Sequence, residues 1–134
     1  EHFGVECVVL GPFEQSYSGG VNAGDALLLE ADVTAVLVFN DLVASGLMAC
    51  LIERGVSIPR DMSVVGIDAS LLSLALRPQL TTVDVRHERM GREAVQLLLD
   101  LLEAHRDGLK SDVISETVPE ILITRDSTAA PCKQ

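Results

Sequence analysis

The residues with chemistry to offer stand where apolar runs stop. Residues 34–41 read TAVLVFND, and the run 35–39 gives way abruptly to Asn40 and Asp41. Residues 63–70 read SVVGIDAS, with Asp68 closing the run 64–67. Residues 7–14 read CVVLGPFE, with Phe13 just past the apolar stretch 6–10. Phe13 offers a flat apolar face, Asn40 a donor and an acceptor, and Asp68 an acceptor for two hydrogen bonds. An aromatic platform rimmed by Asn and Asp suits a neutral polyol such as a sugar, or a nucleobase. Each residue also has a purely structural use. Asn40 or Asp41 can cap a following helix for about 1 kcal/mol, Asp68 can close a turn, and Phe13 can fill a loop.

Catalytic chemistry finds less to work with. Acid–base work by Asp41 and Asp68 needs a third, organising group, and none is apparent. His2, His87 and His105 are scattered without metal-ligand spacing. No G-x-G-x-x-G, P-loop or G-x-S-x-G elbow follows an apolar run. No catalytic residue, metal or cofactor is therefore expected, and binding is the expected role. A phosphoacceptor receiver domain would need an acidic pair after its first strand and a Lys after a late one. Here the first run leads into GPFE, and no Lys follows QLTTV.

The elements that must hold these residues follow from hydrophobic pattern. Runs 6–10, 35–39 and 63–67 read as buried strands. Residues 11–20 read as loop, while 21–30 and 42–54 read as helices. Gly55 suits the left-handed position after a helix end. Such strand–helix alternation implies an α/β fold, a doubly wound and mostly parallel sheet. Continuous rather than alternating apolar strands fit sheets covered on both faces. Ligands of open parallel sheets bind outside the carboxyl ends of the strands, so Phe13, Asn40 and Asp68 share one edge. Further along, 79–86 reads as a strand and 88–105 as a long helix. Residues 117–126 contain a last strand with Pro119 near its start. Residues 127–134 read as a flexible tail, leaving 1–126 as the domain.

Two helices carry more apolar surface than a sheet can use. On 42–54, Leu42, Val43, Leu47, Met48, Leu51 and Ile52 cover well over half the circumference, where a stripe of ~100° suffices. On 88–105, Met90, Val95, Leu98, Leu99 and Leu102 do the same. Cover from outside the chain is expected for both, with the helix 42–54 as a homodimer interface.

Composition sets the outer limits. A chain of 134 residues, 48% hydrophobic, is long enough for one domain with a real core. Its net charge of −10 repels phosphate backbones, so it is not expected to grip nucleic acid by itself. The three cysteines Cys7, Cys50 and Cys132 are odd in number and lack CxxC spacing, so neither a disulfide framework nor a zinc site is expected. Cys7 and Cys50 are expected as small core residues. No run approaches the ~20 apolar residues of a membrane span and no signal peptide is visible, so a cytoplasmic protein is expected, with no membrane partner. The chain starts Glu1-His2-Phe3 without Met, and a fragment of a longer protein is expected.

A family resemblance adds to this reading. The block TAVLVFNDLVASGLMACLIERGVSIPRDMSVVGID, followed by RPQLTTV and ERMGREAVQLLLDLL, closely resembles the effector-binding domain of the lactose/galactose repressor family of bacterial transcription regulators. The closing VPEILITRDSTAAP resembles that family's end, and the resemblance runs from about Val5 to Pro131. It implies a periplasmic-binding-protein-like type I subdomain, the C-terminal portion of an effector-binding domain. It implies a small effector in a cleft between two subdomains, a homodimer, and operator DNA held only by a helix-turn-helix missing from this chain. It implies that the helix 88–105 packs on the absent N-terminal subdomain. By matching motif it makes Asn40 and Asp68 effector contacts, with Phe13 and His87 near two others. Departures from the pattern are Ala69, where many members have a second Asp, and Arg86, where Pro is usual. The alternative is a periplasmic sugar-binding protein of a transport system, which shares the architecture.

Overall fold

A computed structural model of the chain describes residues 7–30, 33–107 and 114–131. Glu6, Cys132 and the start of the expected loop 111–116 lie outside the described residues. The elements run α1 (Tyr17–Leu27), β1 (Ala35–Leu37), α2 (Asp41–Glu53), β2 (Ser63–Ile67), α3 (Leu71–Ala75), β3 (Thr81–Asp84), α4 (His87–Arg106) and β4 (Ile121–Ile123).

The sheet has the order β1-β2-β3-β4. β1 and β2 are parallel with Val36 opposite Val64, and β2 and β3 are parallel with Gly66 opposite Thr82. β4 adds antiparallel to β3, with Leu122 opposite Val83. This is the open, parallel-dominated α/β sheet expected from the sequence. In β2, Val64 and Gly66 are buried and their neighbours only partly so, which puts the core on one face. That core joins Val64 and Leu80 to Val43, Leu47, Met48 and Leu51 of α2 and to Leu27 of α1.

The strand expected over 6–10 does not form among the described residues. β1 is itself the sheet edge, and Val9 is 94% exposed. An apolar run becomes a strand only where a neighbour takes its backbone hydrogen bonds. Cys7 is accordingly exposed rather than a core residue, while Cys50 is buried as expected.

Residues 17–20, expected as loop, are the first turn of α1, capped by the Ser16 hydroxyl, which accepts from the Gly19 amide at 3.0 Å. The glycines there serve contact rather than turning. A side chain on Gly20 would collide with the Val43 carbonyl, and one on Gly46 with the Tyr17 carbonyl. The two helices meet backbone to backbone, and that packing outweighs the ~1 kcal/mol each glycine costs inside a helix.

α2 ends as its sequence implies. Gly55 takes φ +85°, its amide bonds the Ile52 carbonyl, and the Val56 amide bonds the Leu51 carbonyl. This pair of bonds is the Schellman arrangement. The apolar girth of α2 is taken up by its own chain: Val43, Ala44, Leu47, Met48, Cys50 and Leu51 are all buried. Most of the apolar surplus over 42–54 is therefore taken up by α1 and the sheet, and Leu42 and Ile52, each 45% exposed, are the large apolar residues of α2 left open. α4 is the reverse. It buries no residue, and Leu98 is 56% exposed.

Residue 127, the expected start of a flexible tail, is built into the fold. Ser127 is fully buried. Its hydroxyl donates to the Val64 carbonyl at 2.6 Å and accepts from the Thr81 amide at 2.8 Å. The Arg125 guanidinium donates to the Ser73 hydroxyl and the Leu80 carbonyl. The entrances to β2 and β3 have backbone groups to satisfy, and the closing segment satisfies them. No helix among the described residues is long and apolar enough to cross a membrane.

Candidate functional site

Because β1, β2 and β3 are parallel neighbours, their carboxyl ends lie side by side. Asn40, Asp68 and the segment 84–87 leave the sheet there in succession. α1 runs parallel to α2, with Gly20 against Val43 and Gly24 against Cys50. The loop carrying Phe13 thus enters at the same end as Asn40. Phe13 is partly buried against the core cluster, more a wall than a free-standing platform.

Of Asn40 and Asp41, it is Asn40 that caps the helix. In the structure the Asn40 Oδ1 caps α2, accepting from the Val43 amide at 2.9 Å. The Asn40 side-chain amide hydrogens are what it has left to offer a ligand. Asp41 is 1% exposed and reaches elsewhere. Its Oδ2 accepts from the Ser70 amide at 2.7 Å and the Ser70 hydroxyl at 2.9 Å, and its Oδ1 from the Thr82 hydroxyl at 2.6 Å. Ser70 and Thr82 escaped the sequence reading because they lie 29 and 41 residues away from Asp41. One signal was present: Gly66, where any side chain would collide with Asp41 Oδ1. A bare strand position lets the carboxylate cross β2 to β3.

Asp68 sits on unusual backbone. It has φ +108° and Ala69 has φ +51°, both in the left-handed region. Such conformations cost of order 1–3 kcal/mol each and persist only where neighbours enforce them. Here the Asp68 amide bonds the Val83 carbonyl at 2.9 Å and the Ala69 amide the Thr82 hydroxyl at 3.2 Å. A third left-handed residue, Arg86 at φ +56°, turns the chain into α4, its amide held by Asp84 Oδ1 at 2.7 Å. The turn brings His87 Nε2 to 3.7 Å from Asp68 Oδ1, with both side chains open to solvent. Beside them an open groove of about 650 Å³ is lined by Asp84, Arg86, His87 and the first turns of α4. The structure thus joins Asp68 to His87 and sets Asn40 on the neighbouring strand end, while Phe13 packs on the core cluster.

The shifted titrations lie away from this edge. Burial, and then a hydrogen bond to Asp25, push the Cys50 thiol up from its usual value. The Arg60 guanidinium and the Ser57 amide hold the Asp61 carboxyl below its usual range. The edge offers hydrogen-bond donors and acceptors at fixed positions, and among the described residues no cluster of three or more His, Cys, Asp or Glu is placed to hold a metal ion.

Comparison with known proteins gives these residues a setting. A family model described as a periplasmic binding protein-like domain matches residues 5–128. The HTH-type transcriptional repressor PurR of Actinobacillus pleuropneumoniae serotype 3 (strain JL03) is 33% identical over 120 residues, covering 90% of this chain and 35% of that protein. The chain therefore spans about a third of the length of that curated relative. A LacI family transcriptional regulator from Enterococcus faecium, solved with bound ribose, superposes with a TM-score of 0.78 at 33% identity, over 91% of this chain and 43% of that one. A LacI family regulator from Arthrobacter sp. FB24, in complex with lactose, gives a TM-score of 0.76 at 32% identity, over 87% of this chain and 43% of that one.

Proposed function

We propose, given that this chain belongs to the periplasmic binding protein-like domain family and within it to the lactose/galactose repressor (LacI) type, that it is the C-terminal effector-binding part of a bacterial transcription regulator that senses a sugar. The observation that carries the reading is the meeting of Asp68 and His87, 3.7 Å apart, at the carboxyl ends of parallel strands whose next neighbour ends in Asn40. A sugar hydroxyl both donates and accepts. Asp68 would take hydroxyl protons, and the Asn40 amide would give to a ring or hydroxyl oxygen. Phe13 would close the apolar side of the ring. Two relatives solved with ribose and lactose favour a sugar over a nucleobase.

On this reading the described edge is one wall of a cleft, and the opposite wall comes from the rest of the full-length protein. An effector bridging both walls shifts their relative orientation by the difference in its affinity for the two arrangements. A homodimer carries that shift to operator DNA through helix-turn-helix heads elsewhere in the full-length chain. On α2, the exposed Leu42 and Ile52 would supply apolar surface to the subunit contact. The role is regulatory binding in the cytoplasm, without a reaction.

Isothermal titration of the full-length protein with ribose, lactose and a purine base is the test. A sugar is expected to bind with one site per subunit, and Asp68→Asn is expected to weaken it about tenfold or more. Binding of the purine alone would replace the sugar class, and binding indifferent to Asp68 would overturn the site.

A further inference from the structure

Directly beneath the candidate edge lies a carboxylate that touches no ligand position. Asp41 opens α2, next to the capping Asn40, and is 1% exposed. Three hydrogen bonds converge on it, two from Ser70 and one from Thr82. We infer that Asp41 is a positioning residue for effector binding: by gripping Ser70 and Thr82 it clamps the turn, left-handed at Asp68 and Ala69, that aims Asp68 at the ligand. The inference rests on the reading of this edge as an effector site.

The geometry supplies the reason. Asp68 and Ala69 hold positive φ in succession, which L-residues adopt only under constraint. The Asp68 amide is held by the Val83 carbonyl, and the next two amides end in a single polar unit. The Ser70 amide goes to Asp41, and the Ala69 amide to the Thr82 hydroxyl that itself donates to Asp41. Gly66 leaves the opening through which the carboxylate passes. Asp41 also ties Asn40 to Asp68, because one neighbour of Asn40 grips the loop that carries Asp68. Without the carboxylate, Ser70 and Thr82 lose their shared acceptor, the turn relaxes toward ordinary φ, and Asp68 leaves both the ligand and His87.

The test uses the full-length protein, with ribose and lactose as probes in calorimetry and amide hydrogen exchange as an independent readout. Asp41→Ala is expected to weaken sugar binding about tenfold or more. It is expected to abolish protection of the Ala69 and Ser70 amides while the Val38 amide, bonded to the Val65 carbonyl, stays protected. Adding Ala69→Gly to Asp41→Ala is expected to recover much of the affinity, since glycine takes positive φ without penalty. Leu51→Ala, a core change away from the loop, is expected to leave affinity within about twofold. Wild-type affinity in Asp41→Ala overturns the inference. So does equal loss in Leu51→Ala, or a double variant with no recovery. If Asp41→Ala does not fold, Ser70→Ala removes the hydroxyl arm alone and is expected to weaken binding about threefold; unchanged affinity and protection there overturn the inference. Asp68→Ala separates the two levels. If it binds normally, the effector site itself is misplaced; if it fails while Asp41→Ala binds, only the positioning role falls.

Discussion

α2 and α4 are both rich in large apolar residues, yet one vanishes into the core and the other buries nothing. Their small residues explain the difference. α2 interleaves Ala44, Ser45 and Gly46 with its leucines, so the glycine-bearing face of α1 can approach on one side while the sheet takes the other. α4 interleaves charged residues instead, paired along its surface as Arg92 with Glu88 at 2.9 Å and Arg89 with Glu93 at 3.5 Å. Its leucines make a stripe suited to one apolar partner. A high apolar count alone does not identify an external interface; the kind of residue between the leucines decides it.

That contrast can be broken most forcefully at the helix–helix contact. Gly46→Val should cost about 3 kcal/mol or more, or prevent folding, because the colliding atom is the Tyr17 carbonyl and backbone cannot yield. Urea denaturation of the 134-residue chain measures it. Next comes a matched pair. Leu51→Ala in α2 should cost about 2–5 kcal/mol, while Leu98→Ala in α4 should change the stability of this chain by no more than about 0.5 kcal/mol. Equal losses would erase the distinction between the helices.

A smaller effect is expected at the closing segment. Ser127→Ala strips the buried Thr81 amide of its acceptor and should cost about 1–3 kcal/mol. The smallest effect concerns the α2 thiol. In a Cys132→Ser background, exposed Cys7 should react with a thiol reagent at once and buried Cys50 only on unfolding. The folded thiol titrates above the ordinary 9.0, so its stabilising contribution is present below that pH and lost as pH rises through the folded value. The destabilisation caused by Cys50→Ala should therefore shrink in alkali.

The sequence was most legible where one residue decides one local conformation. Gly55 ends α2, the runs 35–39 and 63–67 contain β1 and β2, and Asp68 and His87 stand at strand ends as expected. It misled where two uses share a composition. Glycines at 19 and 20 read as a turn, but Gly20 seats α1 on α2 and Gly19 makes room for the Glu14 carbonyl. Polar residues from 127 onward read as a loose end, yet Ser127 replaces sheet bonds across a separation of 63 residues. Local pattern makes Asp41 as good a helix cap as Asn40, because its actual partners Ser70 and Thr82 are distant in sequence. Local pattern reveals which residues are polar within a fold, not which distant donor each one answers.

The central claim is that Asp68, with His87 and Asn40, forms one wall of an effector cleft. A crystal structure of the full-length protein grown with the sugar it binds tests this directly. The expected result is a sugar within hydrogen-bond distance of the Asp68 carboxylate and the Asn40 amide, with Asp68 and Ala69 in the same left-handed conformation. A sugar bound elsewhere, with Asp68 open to solvent, would contradict it.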